Sequence, residues 1–278
     1  IGDIGVNIED FQLEHSFGQS VGRAMVSVVP SQAGHLARSL EQRGWQVIIE
    51  GEEKQMGVVI ALDGPSGSGK STVSRRVATK LGLAYLDTGA MYRAAAWWCD
   101  HQGIDLDDQA AVAAATVQMP LQMPLDPENQ TIECGGVDIT QAIRASELSK
   151  VVSKVATNLE VRAELKRRQR QIIAAATQGI VAEGRDITTV VAPDADVRVL
   201  LTASEEARLA RRALEVRGSA DAAAIAATRD EVVRRDADDS TVSQFMTAQD
   251  GVTTVDSSSL SIDDVVDAVI SLIPEDMR

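Results

Sequence analysis

Gly64-Pro65-Ser66-Gly67-Ser68-Gly69-Lys70-Ser71-Thr72 is a stretch whose residue types suit the holding of phosphate. Four residues separate Gly64 from Gly69, and Lys70 and Ser71 follow at once, which completes the P-loop pattern. Glycines let successive backbone N–H groups turn inward onto an anion. A helix opening directly after the loop adds the positive end of its dipole. In that arrangement Lys70 is expected to reach the β- and γ-phosphates of ATP, and Ser71 to ligand Mg²⁺. The apolar run "VVIAL" before the loop and "VSRRVATKLG" after it supply the strand and helix that the pattern needs.

The loop does not say where the phosphate goes. The chain has no Asn/Thr-Lys-x-Asp stretch for reading guanine, and "VRVLLTAS" ends without the acidic pair of a motor-type ATPase. What remains is a phosphoryl transferase for a small molecule. A hydroxyl acceptor benefits from a base, whereas a phosphate acceptor is already mostly dianionic at neutral pH and calls for cations. Arginines stand where such cations are useful. Arg93 lies one turn into the helix after "LAYLDTG", and Arg185 follows the apolar strand "GIVAEG", at the carboxyl end where parallel sheets place ligands. Arg208, Arg211, Arg212 and Arg217 share one helix ahead of an Ala/Ser-rich stretch, as a phosphate-gripping lid or as a solvated face. Their planar forks meet phosphate oxygens in pairs.

Stepping along the chain, residues 1–49 alternate like strand, strand, helix, strand: "VNIEDFQLEHS", "RAMVSVV", a helix from Pro30 that ends near Gly44, and "WQVII". The charged stretch 50–57 is expected to be a linker. From Val58 strands alternate with helices, which predicts an α/β fold with a parallel sheet flanked by helices. Val73, Val77 and Leu81 recur at helical spacing before Gly82. Residues 117–139 hold three of the seven prolines and suggest a small β insert. Helical patterns follow over 142–157 and 159–178, the second with Asn158 as N-cap, and again after Ser204, over 221–236, and from Ser261. A chain of 278 residues allows one large domain or two.

The formal charge of -14, from 27 basic and 41 acidic residues, argues against non-specific binding to nucleic acid. Cys99 and Cys134 stand far apart and the three histidines are scattered, so neither a disulfide framework nor a zinc site is expected, and a reducing cytoplasm fits. No apolar run is long enough for a membrane span. The chain begins with Ile1, which suggests a start inside a longer polypeptide.

"ALDGPSGSGKST", "YLDTGAMYR", "EGRDITTVVAPDA" and "RRDADDS", in this order and spacing, resemble bacterial cytidylate (CMP) kinases from about Met56 to the C-terminus. The resemblance implies a P-loop nucleoside monophosphate kinase fold with a lid over about 208–228. It implies transfer of the ATP γ-phosphate to CMP or dCMP with Mg²⁺ and a kinase domain, 58–278, that acts as a monomer. By the same resemblance, Gly64 to Thr72 bind ATP. Thr88, Tyr92 and Arg93 form the acceptor motif, with Arg93 on the CMP phosphate. Ser153 and Arg162 meet the cytosine, Arg185 is a second phosphate ligand, Asp186 accepts from the cytosine amino group, and Arg235 and Asp239 lie on the ribose side. Lys70, Arg185, Arg208, Arg211 and Arg212 are then the catalytic cations. Val242 stands where the family usually has a further arginine. A kinase for UMP or another small acceptor, and a non-catalytic ATP-binding relic, are the alternatives. Residues 1–49, through "GVNIEDFQLEHS", resemble the latter part of an ACT-type regulatory domain as found after some prephenate dehydrogenases.

Overall fold

A computed structural model describes residues 6, 8–15, 22–45, 47 and 57–277. It divides into two compact units, Ile1–Gln55 and Met56–Arg278. In the first, β1 (Ile8–His15) and β2 (Gly22–Val28) form an antiparallel pair with Phe11 opposite Val26, and α1 (Pro30–Glu41) follows. Pro30 opens α1 at a position where its missing N–H costs nothing. Leu36 and Ala37 are buried on α1. Of the expected third strand, Trp45 and Val47 lie outside any strand, and residues 46, 48 and 49 fall outside the described residues, as do 50–56 of the expected linker.

In the second unit β3 (Val59–Asp63) leads into the phosphate loop and α2 (Lys70–Leu81), then β4 (Ala84–Asp87) and α3 (Thr88–His101). A helix the sequence pattern does not reveal, α4 (Gln109–Gln118), comes next. It precedes the expected insert of β5 (Leu121–Gln122), β6 (Glu133–Cys134) and β7 (Val137–Asp138), an antiparallel sheet. The helical pattern over 142–157 resolves into a 3-10 turn, Ala142–Arg144, and α5 (Ser146–Ala156). The chain continues through α6 (Leu159–Ala175), β8 (Ile180–Gly184), a π-helical turn (Ile187–Val191), β9 (Val197–Thr202), α7 (Glu205–Arg217), α8 (Ala222–Ser240), β10 (Thr253–Asp256) and α9 (Ile262–Ser271).

The five longer strands of this second unit form one parallel sheet in the order β10-β9-β3-β8-β4. Side chains alternate along β3, so Ile60 and Leu62 pack with Val73 and Val77 of α2 and Val265 and Val269 of α9 on one face. Ala61 packs on the other face with Met91, Ala94 and Ala95 of α3 and Leu165 of α6. Each Val, Leu, Ile or Met side chain so buried contributes roughly 1.5–3 kcal/mol, and each alanine methyl about 0.8 kcal/mol. The caps expected at Asn158 and Ser204 form, and the last helix, expected from Ser261, opens on a capping box. The Asn158 side chain accepts from the N–H groups of Glu160 and Val161, Ser204 accepts from Ala207, and Ser261 and Asp264 make a reciprocal capping box. Covered on both faces, the sheet is a rigid base with its strand carboxyl ends at one edge, and the loop after β3 opens there.

Candidate active site

The phosphate loop is braced from outside by side chains distant in sequence. The Ser66 N–H donates to Asp236 Oδ1 at 3.1 Å. Arg208, 7% exposed, donates to the Ser66 carbonyl at 3.0 Å and pairs with Asp236 at 2.5 Å. Arg211 reaches Ser257 Oγ at 2.9 Å and the Ser257 carbonyl at 2.6 Å, and Ser257 Oγ donates to the Ser68 carbonyl at 3.1 Å. Gly67 has a positive φ of 76°, and a Cβ there would stand 2.4 Å from the Arg208 carbonyl oxygen, so both backbone shape and space require glycine. No acidic residue occupies the first turn of α2, which leaves its positive end open to an anion. Lys70 Nζ lies 3.2 Å from the Pro65 carbonyl.

The carboxyl ends of the other strands supply the rest. At the end of β4, Asp87 caps α3 through the Ala90 N–H and holds Arg93 at 2.9 Å. At β8, Glu183 accepts from the Tyr85 hydroxyl at 2.8 Å, and its carbonyl accepts from Thr88 Oγ1 at 2.7 Å. Gly184 permits this close approach, since a Cβ there would lie 2.4 Å from Thr88 Oγ1. Arg185 pairs with Asp236 at 2.8 Å and Asp239 at 3.1 Å, donates to the Gly64 carbonyl at 3.1 Å, and lies 4.1 Å over the Phe245 ring. Asp186 is gripped by Arg162, which also donates to Ser243 Oγ at 2.9 Å and covers the Tyr92 ring at 5.7 Å. Asp63, closing β3, accepts from the Ile187 and Thr188 N–H groups at 2.9 and 2.8 Å and from Thr188 Oγ1 at 2.6 Å. It thereby anchors the turn that carries Arg185 and Asp186.

The charges crowd one another. Burial and the neighbouring Arg185 push Lys70 down to about 8, and burial with repulsion from Arg185 and Arg93 brings Arg235 to about 10. Among the described residues the buried Nε atoms of Arg93 and Arg235 have no hydrogen-bond partner. Burial and the Asp87 charge raise Glu183, while Asp87 is held low by Arg93 against its own burial. Burial also raises Asp186, although Arg162 opposes it. A set of cations that disfavour one another's charge, with unused donors, is built to receive a polyanion.

Most residues singled out from the sequence converge here: the loop from Gly64 to Thr72, with Thr88, Tyr92, Arg93, Arg162, Arg185, Asp186, Arg208, Arg211, Arg235 and Asp239. Ser71 and Thr72 are exposed at the start of α2, and the Ser71 hydroxyl is near enough to Glu183 to oppose the rise in its proton affinity. Arg208 and Arg211 are fastened to the loop backbone, while the mostly buried Arg212 pairs with the exposed Glu215 at 3.0 Å and lies within electrostatic reach of Arg235. Ser153 is half-buried on α5, where its carbonyl accepts from Thr157. Val242 is half-buried past the end of α8, followed by Ser243, which serves Arg162. Asp63, Asp87, Glu183, Asp236, Phe245 and Ser257 were not singled out. Asp63, Asp87, Glu183 and Asp236 stand within the quoted "ALDGPSGSGKST", "YLDTGAMYR", "EGRDITTVVAPDA" and "RRDADDS", so the signal is present, but only their long-range partners reveal what they do.

A hard cation fits the hydroxyl of Ser71 and the carboxylate of Glu183, both oxygen donors. Among the described residues no group of three or more His, Cys, Asp or Glu could hold a metal by itself.

A parallel sheet, a phosphate loop opening α2 and a ring of arginines at the strand ends define a P-loop phosphotransferase. The cytidylate kinase family model matches residues 60–275. Cytidylate kinase of Cutibacterium acnes is 50% identical over 223 residues, covering 80% of this chain and 98% of its own length. That of Streptomyces coelicolor is 49% identical over 220 residues, covering 78% and 93%. The chain belongs to the cytidylate kinase family. Among solved structures, shikimate kinase from Acinetobacter baumannii in complex with shikimate aligns over 78% of this chain and 93% of its own at 16% identity, with a TM-score of 0.37.

Proposed function

We propose that this chain transfers the ATP γ-phosphate to CMP, and to dCMP, giving ADP and CDP. The observation that carries it is the convergence of Lys70, Arg93, Arg185 and Arg235, with depressed proton affinity at Lys70 and Arg235 and, among the described residues, no hydrogen-bond partner for the Nε atoms of Arg93 and Arg235, in a chain of net charge -14. Two phosphate-bearing substrates repel each other, and such a cluster offsets that repulsion while aligning them. Asp186 and Asp239 are tied to arginines, which suits an acceptor that needs no base.

In this reading the loop N–H groups and Lys70 hold the β- and γ-phosphates of ATP. Arg208 and Arg211 keep the loop in shape, and Arg212 closes from α7. Arg93 and Arg185 hold the acceptor phosphate, and Arg235 and Asp239 the ribose side. Ser153, Arg162 and Asp186 read the base. Ser71 and Glu183 would hold Mg²⁺, which supplies charge neutralisation at the transferring phosphates. In this reading the unit acts as a monomer in a reducing cytoplasm, where its two cysteines, both free and buried, stay reduced. Residues 1–49 form an ACT-type piece, supported by a hairpin followed by a helix and compatible with a prephenate-dehydrogenase-like neighbour upstream.

The test is base choice. Asp186→Asn keeps the shape but loses the charge and an acceptor for the cytosine amino group. A lost base contact of this kind costs about 1–3 kcal/mol, so the CMP-over-UMP ratio of kcat/KM should shrink by about tenfold. An unchanged ratio, or no phosphorylation of CMP by the parent protein, overturns the reading.

A further inference from the structure

Helix α6 turns four residues at a spacing of four toward the interior: Val161, Leu165, Gln169 and Ile173. Three are apolar. Gln169 is 1% exposed, and among the described residues neither atom of its amide has a hydrogen-bond partner. An amide can make up to four hydrogen bonds, and burying one without partners costs stability that an apolar side chain of similar shape would not. Such a group calls for an explanation other than packing.

Its neighbour is Tyr92. Helices α3 and α6 pack together, and the Gln169 amide approaches the Tyr92 hydroxyl closely enough to favour its ionisation against the burial that disfavours it. Two turns earlier on α6, the Arg162 guanidinium covers the Tyr92 ring at 5.7 Å while gripping Asp186. Two side chains of one helix therefore bracket a single ring, Arg162 at its face and Gln169 at its hydroxyl.

We propose that Gln169 is a positioning residue for the acceptor nucleotide, setting the tilt of the Tyr92 ring and, through Arg162, the placement of Asp186. The proposal rests on the reading of Tyr92, Arg162 and Asp186 as acceptor contacts. A ring tilt that seats Tyr92 against the nucleotide completes the hydrogen bond to Gln169, and other tilts forgo it. Gln169 touches no substrate atom and acts through its neighbours.

The experiment compares Gln169→Met, Tyr92→Phe and the double variant by steady-state kinetics and thermal melting. In Gln169→Met the KM for CMP should rise about fivefold while the KM for ATP stays within about twofold, the scale of one hydrogen bond. The Tm should hold or increase, opposite to what loss of a packing residue does. Tyr92→Phe should raise the KM for CMP similarly, and the double variant should be no worse than the poorer single one, because both changes break one contact. An unchanged KM for CMP in Gln169→Met beside a raised one in Tyr92→Phe overturns the role of Gln169 and leaves the acceptor reading standing. No effect of Tyr92→Phe on CMP overturns the reading of Tyr92 and the proposal with it. Additive effects show that Gln169 acts elsewhere and also overturn it. If Gln169→Met does not fold, Gln169→Leu takes its place, and failure of both to fold marks a packing residue and overturns the proposal.

Discussion

Lys70 sits among charges of both signs: Arg185 and Arg235 disfavour its proton, Glu183 and Asp236 favour it, and burial outweighs them all, leaving it near 8. Its ammonium therefore deprotonates in the free protein at a pH where an ordinary lysine is still fully charged. Triphosphate bound beside it restores the proton. The kcat/KM for ATP should thus fall above about pH 8, while kcat holds to higher pH, because the first reports free enzyme and the second the complex. A kcat/KM profile flat to about pH 9.5 contradicts this. The loop and its lysine were legible in sequence because each residue answers a local demand: glycines for a turn around an anion, a lysine to reach it. Arg93, Arg185 and Asp186 were legible through position at strand ends and through family resemblance. Asp236 and Glu183 were not, because their meaning lies in partners far along the chain: Asp236 joins Arg185, Arg208 and the Ser66 N–H, and Glu183 joins Ser71 and Tyr85. Gln169 hid for the opposite reason, as one polar residue among many on α6.

The turn between β8 and β9 is set by one strand. Asp63 at the end of β3 binds two successive N–H groups of that turn, yet burial exceeds these hydrogen bonds and raises its carboxyl to about 6. The folded protein then binds a proton more tightly at Asp63 than the unfolded chain does. This contribution to stability is full below about pH 4 and is lost as the pH rises through about 6, a change of about 3 kcal/mol. Denaturant unfolding of the parent and Asp63→Asn at pH 4 and 6.5 should show the parent losing stability relative to the variant over that interval; parallel profiles refute it. The strands β3, β8 and β9 and the helix caps at Asn158, Ser204 and Ser261 were readable because apolar runs and capping residues are local signals. Helix α4 was not. Its alanines show no strong face, Asp108 caps its start, and Arg168 of α6 caps its final turn by donating to the carbonyls of Thr116, Val117 and Met119. The π-helical turn was equally hidden, since Asp63 and Arg170 hold it from outside, the latter through the carbonyls of Val190 and Val191.

On the scale of the molecule, every residue assigned to the proposed reaction lies in the unit from Met56 onward, which has both sheet faces covered by its own helices. A chain beginning at Met56 should therefore keep kcat/KM for CMP within about twofold of the full chain, and neither tyrosine nor phenylalanine should alter the full chain's rate. Loss of activity in the shorter chain, or a response to either amino acid, would make residues 1–55 a working regulator. The order of the parallel sheet has another consequence, one of time. The central strand β3 is the first made of its unit, yet its neighbours β8 and β9 begin only at Ile180 and Val197. At a synthesis rate of about 5–20 residues per second, the strand beneath the phosphate loop waits on the order of ten seconds for its first partner. During that interval α2 can cover one face of the apolar run and α3 the other, while its edges stay unpaired until Ile180 and the residues after it have been made.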